Sequence, residues 1–131
     1  MNLFTLLLIG VAVFFVVRLL ISARPGLSAA EAQKAIQAGT AVLVDVREPG
    51  EWSAGVAKPA ALLAMSDLRG SRAKWKPFLE KNSGKQIIVY CASGARSGSV
   101  AALLRREGHN AVNLGGFSRW ANAGLPTRRP N

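Results

Sequence analysis

Apolar residues fill almost every position from Leu3 to Ala23, and after that they arrive in short bursts separated by polar turns. An unbroken apolar run of roughly 20 residues is the length of helix that crosses a bilayer core, so residues 3–23 are expected to form a transmembrane helix. Its one internal charge, Arg18, lies near the C-terminal end, where a long side chain can carry its guanidinium to the interface. A cleaved signal peptide fits less well. No basic residue precedes the run, and Ile21-Ser22-Ala23 is a poor cleavage site.

Pro25-Gly26 ends this helix, and beyond it the periodicities alternate. Ser28 and Glu31 have the spacing of a capping box and predict a short helix over 29–38, closed by Gly39. Ala41 to Val46 reads as a strand that is apolar on both faces until Asp45, as in a parallel sheet covered by helices. A helical turn is expected over 48–52, a short strand over 60–65, a helix start at Ser66-Asp67-Leu68 and a basic helix over 72–81. Ile87 to Tyr90, β-branched and aromatic, predicts a buried strand. Val100, Leu103 and Leu104 recur at helical spacing within 97–106, and Ala111 to Leu114 predicts another strand. Gly115-Gly116 opens a last short helix through Trp120, and residues 127–131 read as a loose basic tail. Strands alternating with helices imply an α/β fold, a small parallel sheet flanked by helices and preceded by one N-terminal transmembrane helix.

Charge and cysteine content narrow the chemistry. Of 131 residues, 17 are Lys or Arg and 7 are Asp or Glu, a formal net charge of +10. That excess suits an anionic substrate or a membrane surface. Nucleic acid has no further support, because no basic run is interleaved with aromatics and no recognition motif occurs. One cysteine excludes an intramolecular disulfide, and with a single histidine it leaves no cluster for structural zinc.

That cysteine, Cys91, follows the 87–90 strand and opens the loop Cys91-Ala92-Ser93-Gly94-Ala95-Arg96. Small residues in such a loop can point several backbone N–H groups at one spot, and the following helix adds its positive dipole end. A thiol at the base of this anion cradle should have a depressed pKa and exist largely as nucleophilic thiolate. The plainer alternative is an inert buried cysteine after a core strand. In parallel sheets ligands sit at the carboxyl ends of the strands, which is where Cys91 falls.

The chain resembles the rhodanese homology domain in its single-domain, membrane-anchored form. The resemblance rests on Val44-Asp45-Val46-Arg47-Glu48 with Glu51-Trp52, on Val89-Tyr90-Cys91, on the 91–97 loop, and on Asn113-Leu114-Gly115-Gly116 with Trp120 and Ala123-Gly124-Leu125-Pro126. It divides the chain into an anchor and short linker at 1–26, a rhodanese-like domain at 27–126 and a basic tail at 127–131. One segment departs from the pattern: after Gly55, Val56-Ala57-Lys58-Pro59-Ala60 stands where the family usually carries His-Ile and a Pro-Gly-Ala turn. The resemblance implies transfer of a sulfane sulfur through a persulfide on Cys91, without metal or organic cofactor. A phosphatase of related fold would use a Cys-x5-Arg loop, one residue longer than the loop here, and a general-acid Asp that this loop region lacks.

On this reading Cys91 is the nucleophile and persulfide carrier, within the active loop formed by Ala92, Ser93, Gly94, Ala95, Arg96 and Ser97. Ser93, Gly94 and Ala95 supply loop N–H groups to the sulfur. Arg96 either binds the donor anion or ties the loop to a carboxylate. Ser97 either donates to the sulfur or caps the helix, and capping is the reading taken. Asp45 and Arg47 are supporting residues, with Arg47 paired to Glu51 or Glu48 and Asp45 accepting from loop amides. Trp52, Trp75 and Trp120 belong to core or pocket wall, and His109 to a solvated turn.

The expected partners are a small anionic sulfur donor, a thiol or cyanide-like acceptor, and a membrane through residues 3–23, with no nucleic acid. Arg18 and Arg24 flank the far end of the apolar run, so the positive-inside rule puts the N-terminus outside and the catalytic domain in the cytoplasm. A reducing compartment also suits a free reactive cysteine. The alternative function is a non-catalytic module of the same fold that recruits a partner to the membrane.

Overall fold

In chain order the computed structural model comprises α1 (Leu3–Ala23), α2 (Ala29–Gln37), β1 (Ala41–Asp45), α3 (Pro49–Trp52), β2 (Val56–Ala57), β3 (Ala61–Leu62), α4 (Met65–Arg69), α5 (Trp75–Lys81), β4 (Gln86–Cys91), α6 (Ala95–Arg106), β5 (Ala111–Gly116), α7 (Phe117–Ala121) and β6 (Thr127–Arg128). It describes residues 1–130, and of Ser22 only the backbone.

Four parallel strands make the sheet in the order β3-β1-β4-β5, which places the run ending in Cys91 between two neighbours. Successive side chains of a strand point to opposite faces, so β4 feeds two core layers. Ile87, Val89 and Cys91 enter the layer closed by Leu68, Trp75, Val100 and Leu104. Ile88 and Tyr90 enter the layer closed by Ala32 and Trp120. Because both faces are covered, the strands can be continuous apolar runs. Trp75 and Trp120 are fully buried as expected, and Trp52 and His109 are half-buried. The capping box of α2 forms as its spacing demands, with both Ser28–Glu31 hydrogen bonds at 3.1 Å.

Several boundaries differ from the pattern. The expected strand over 60–65 contracts to β3, because its alanines gain little from a pleated surface and Met65 already begins α4. The expected helix over 72–81 starts only at Trp75. Arg72 has a φ of 58°, which breaks the helical path, and Asp67 Oδ2 accepts the N–H groups of Lys74 and Trp75 at 3.1 and 3.0 Å. The central helix begins two residues before Ser97, and β5 runs on to Gly116. The tail is not loose. Thr127 and Arg128 pair antiparallel with Val56 and Ala57, and the Arg128 guanidinium donates to the carbonyls of Lys58 and Ala60, each at 3.1 Å. Asn131, the end of that tail, lies outside the described residues.

Helix α1 is exposed almost throughout, and by length and composition Leu3–Ile21 is long and apolar enough to cross a membrane. Its C-terminal end packs against α6. The chain that follows is tied to the sheet, with Gly26 N–H donating to the Asn113 carbonyl at 2.7 Å.

Candidate active site

Cys91 closes β4 and is fully buried. Its Sγ accepts from the Gly94 N–H at 3.1 Å, the Ser97 N–H at 3.4 Å and the Ser97 hydroxyl at 3.3 Å. The loop can curl this tightly because Gly94 adopts a φ of 94°. A Cβ at Gly94 would also lie 2.9 Å from the Ala23 carbonyl and 3.1 Å from Gly115 Cα. Ala92 and Ser93 form the exposed rim, and Ser93 Oγ accepts from the Ala95 N–H at 3.4 Å.

Ser97 does not cap the helix. Gly94 holds the N-cap position and Ser97 is the third residue inside α6, fully buried, where its side chain turns toward the sulfur. Its hydroxyl also lies 2.7 Å from Asn113 Oδ1. A hydroxyl has one proton to give, so a neutral thiol leaves it with the amide oxygen and a thiolate draws it across.

Asn113 is the site residue that sequence reasoning missed. Its Oδ1 also accepts from the Gly115 N–H at 3.0 Å, and its Nδ2 donates to the carbonyls of Gly94 and Ala23 at 3.0 and 3.2 Å. One buried amide therefore joins the cradle, the end of β5 and the end of α1. A register shift between Val89 and Tyr90 leaves an extra residue on β5, and this brings Gly115 and Gly116 opposite Tyr90 and Cys91. At Gly116 a Cβ would press on the Ala92 carbonyl at 2.7 Å. The signal for both features is the Asn113-Leu114-Gly115-Gly116 run, which the sequence marks as a strand, a helix start and part of the family resemblance, but not as part of the site.

The electrostatics of the cysteine follow from these contacts. Burial pushes the Cys91 thiol up, but donation from the Ser97 hydroxyl and from the N–H groups of Ser97, Ser93 and Gly94 outweighs it, and the net shift is downward. In the window between the lowered folded pKa and the ordinary value of about 8.5, the unfolded chain holds a proton that the folded chain has released. The stability contributed by the thiolate is therefore complete above that window and is lost as pH falls through the folded value. Iodoacetamide labelling of the native chain should accordingly reach its half-maximal rate at lower pH than labelling of the urea-unfolded chain. Coincident profiles would show that the cradle does not favour the thiolate.

Of the two uses open to Arg96, the structure realises the tie to a carboxylate. Its guanidinium makes a fork to Glu51 at 2.6 and 2.9 Å. The hydrogen bonds from Arg96 pull the Glu51 carboxyl down to about 2, and the same pair raises Arg96. This reassigns Glu51, because Arg47 pairs with neither Glu51 nor Glu48. Arg47 instead clamps Asp45, with Nη2 to Oδ2 at 2.8 Å and Nε at 3.1 Å from both oxygens, and donates to the Gly55 carbonyl at 2.7 Å. The loop-amide bond expected of Asp45 is present, from the Arg47 N–H at 2.9 Å. Burial pulls the Arg47 guanidinium down and Asp45 more than restores it. Arg47 also lies over the Phe117 ring at 5.2 Å, so the pair braces β1, the β2 entry and α7. It supports the site from below and makes no hydrogen bond to the sulfur. Glu48 instead accepts from Ser66, at 3.2 Å from its N–H and 2.8 Å from its hydroxyl.

The segment that departs from the family pattern is held by other means. Ala57 N–H donates to the buried Tyr90 hydroxyl at 2.9 Å. Burial, with the Asp45 charge second, pushes the Tyr90 phenol up and keeps it neutral.

Comparison with known proteins gives the same outline. The rhodanese-like domain family matches residues 28–123. An uncharacterized protein of Synechocystis sp. is 37% identical over 97 residues, covering 72% of this chain and 51% of that protein, so the chain spans about half the length of that relative. A protein named sulfurtransferase from Allochromatium vinosum is 37% identical over 93 residues, covering 68% of this chain and 79% of its own. Among solved structures, a rhodanese-related protein from Thermoplasma volcanium superposes with a TM-score of 0.65 at 32% identity, covering 80% of this chain and 98% of that one.

Proposed function

Because this chain belongs to the rhodanese-like domain family, we propose that it is a membrane-tethered sulfurtransferase working through a persulfide on Cys91. The observation that carries this reading is the cysteine sulfur within 3.1–3.4 Å of three converging donors. The Cys91 thiolate attacks the outer sulfur of an anionic donor such as thiosulfate. The donor's S–S bond breaks, sulfite leaves with the bonding pair, and Cys91 carries the new sulfur as a persulfide anion. A thiolate or cyanide-like acceptor then attacks that outer sulfur and the Cys91 thiolate is regenerated. Charge and electrons balance at each step, so no external oxidant, reductant or proton is required. The cradle's N–H groups hold negative charge on sulfur in both resting and loaded forms. The test is direct: the chain with its anchor, in micelles and incubated with thiosulfate, should gain the mass of one sulfur that cyanide then removes. A chain that stays unmodified across thiosulfate, persulfide and polysulfide donors would sink the reading.

The tether is residues 3–23, with the domain on the cytoplasmic side. Supporting it are the exposed apolar length of α1 and the arginines at its domain end. A reporter fused after Asn131 should behave as cytoplasmic, and the domain should pellet with membranes until residues 1–26 are removed. Digestion of the domain by protease added outside intact spheroplasts would overturn this orientation.

A further inference from the structure

Between the C-terminal half of α1 and the outer face of α6 runs a cleft of about 760 Å³ that excludes Cys91 and its loop and meets the cradle only at Asn113. Five arginines line it: Arg18 and Arg24 from the anchor and its end, Arg69 from α4, and Arg105 and Arg106 from the last turn of α6. No acidic side chain reaches it, and none of these arginines joins a salt bridge among the described residues. Glu107 offsets part of the Arg106 charge from outside the lining, and Arg105 spends one donor on the Ala111 carbonyl, but the lining itself stays wholly cationic and an anion within it would be attracted by several like charges at once. The other wall is apolar. Phe15, Leu19 and Ile21 lie there 64%, 54% and 58% exposed, along the part of α1 that would face hydrocarbon.

One wall that binds anions through forked donors, set against one that prefers acyl chains, matches an amphiphile with a negative head. We propose that this cleft binds an anionic phospholipid, its phosphate held by Arg105, Arg106 and Arg24 and one acyl chain lying against Phe15 and Leu19. This rests on the membrane reading of α1. The location matters because the Asn113 amide that hydrogen-bonds Ser97 also donates to the Ala23 carbonyl at 3.2 Å. Lipid in the cleft would fix the end of α1 against the domain beside the cradle.

The test uses the full chain reconstituted into phosphatidylcholine vesicles or micelles. Native mass spectrometry from micelles titrated with phosphatidylglycerol should show it retained over phosphatidylcholine. The double variant Arg105→Gln/Arg106→Gln should weaken that retention by about tenfold or more, as loss of two cations near a lipid surface implies. Lys76→Gln/Lys81→Gln, an equal change of charge on the exposed face of α5, should leave it intact. Arg106→Gln alone, which spares the 3.1 Å bond from Arg105 to the Ala111 carbonyl, guards against a folding artefact and should show an intermediate loss. Equal retention of both lipids, or equal loss in cleft and control variants, overturns the proposal while vesicle insertion still supports the anchor. Displacement of phosphatidylglycerol by inorganic phosphate would make the cleft a free-phosphate site and overturn it as well. A chain that never enters vesicles overturns the membrane reading, and the cleft proposal with it.

Discussion

Cys91→Ser is expected to leave the fold intact and to remove sulfur transfer. Serine fills nearly the same space at this fully buried position, and its hydroxyl can accept from the Gly94 and Ser97 N–H groups that now surround sulfur. What it lacks is charge. The cradle lowers the pKa of the thiol, whereas a hydroxyl starts many units higher and would have to be moved much further to ionise. Serine also cannot carry a persulfide, so the loaded intermediate disappears rather than slowing. Turnover with thiosulfate and cyanide should fall by at least about three orders of magnitude, as loss of a covalent nucleophile does. Thermal unfolding of the same variant should stay close to that of the parent chain at pH values where the thiol is protonated. Sulfur transfer above trace in a variant that melts normally would remove Cys91 from the reaction.

The cysteine was legible because the groups that donate to its sulfur, on Gly94 and Ser97, are local. A β-branched run ends in a loop of small residues, and the helix that follows has its own periodicity, so strand, loop and helix can be read from one continuous stretch. Residues whose work depends on distant partners were not legible. Arg96 and Glu51 are 45 positions apart and meet only because β4 lies beside β1 and their loops share one edge of the sheet. Asn113 reaches the cradle because β5 lies beside β4 and sets it opposite Val89, and Gly115 and Gly116 follow only through the register shift, a single extra residue that leaves no mark on an apolar pattern. The β2–β6 pairing was hidden for a similar reason, since two-residue strands are too short to show a period. The amphipathic pattern of Trp75, Phe78 and Leu79 extends back to include Arg72 in a helix. The Arg72 side chain instead bonds the Leu68 carbonyl at 2.7 Å and forks to Glu107 at 2.8 and 2.9 Å, contacts tied to its positive φ. The error over Arg47 has the same root. Three acidic residues lie within four positions of it, and only the clamp geometry at the end of β1 selects Asp45 over Glu48 and Glu51.

That selection leads to the largest expected effect on stability. The side chains of Arg47 and Asp45 are 8% and 0% exposed, so neither charge can fall back on water if its partner is removed. Asp45→Ala leaves a guanidinium in the interior with the Gly55 carbonyl as its remaining hydrogen-bond partner. Breaking a buried pair from one side typically costs about 3–5 kcal/mol. For a domain of about 100 residues that corresponds to a fall in Tm of at least about 12 °C. Removing both charges should be milder. In Asp45→Leu/Arg47→Met no charge is stranded, and the apolar side chains can pack beneath Phe117, so the double variant should recover a large part of the loss. If it recovers nothing, the destabilisation belongs to lost packing or to the Gly55 carbonyl rather than to an orphaned charge. Activity separates this brace from the cradle. Asp45 makes no hydrogen bond to the sulfur, so the fraction of Asp45→Ala chains still folded at low temperature should load sulfur from thiosulfate at a near-normal rate. A folded variant that melts normally and yet fails to load would show that Asp45 acts on the reaction itself and not through the frame.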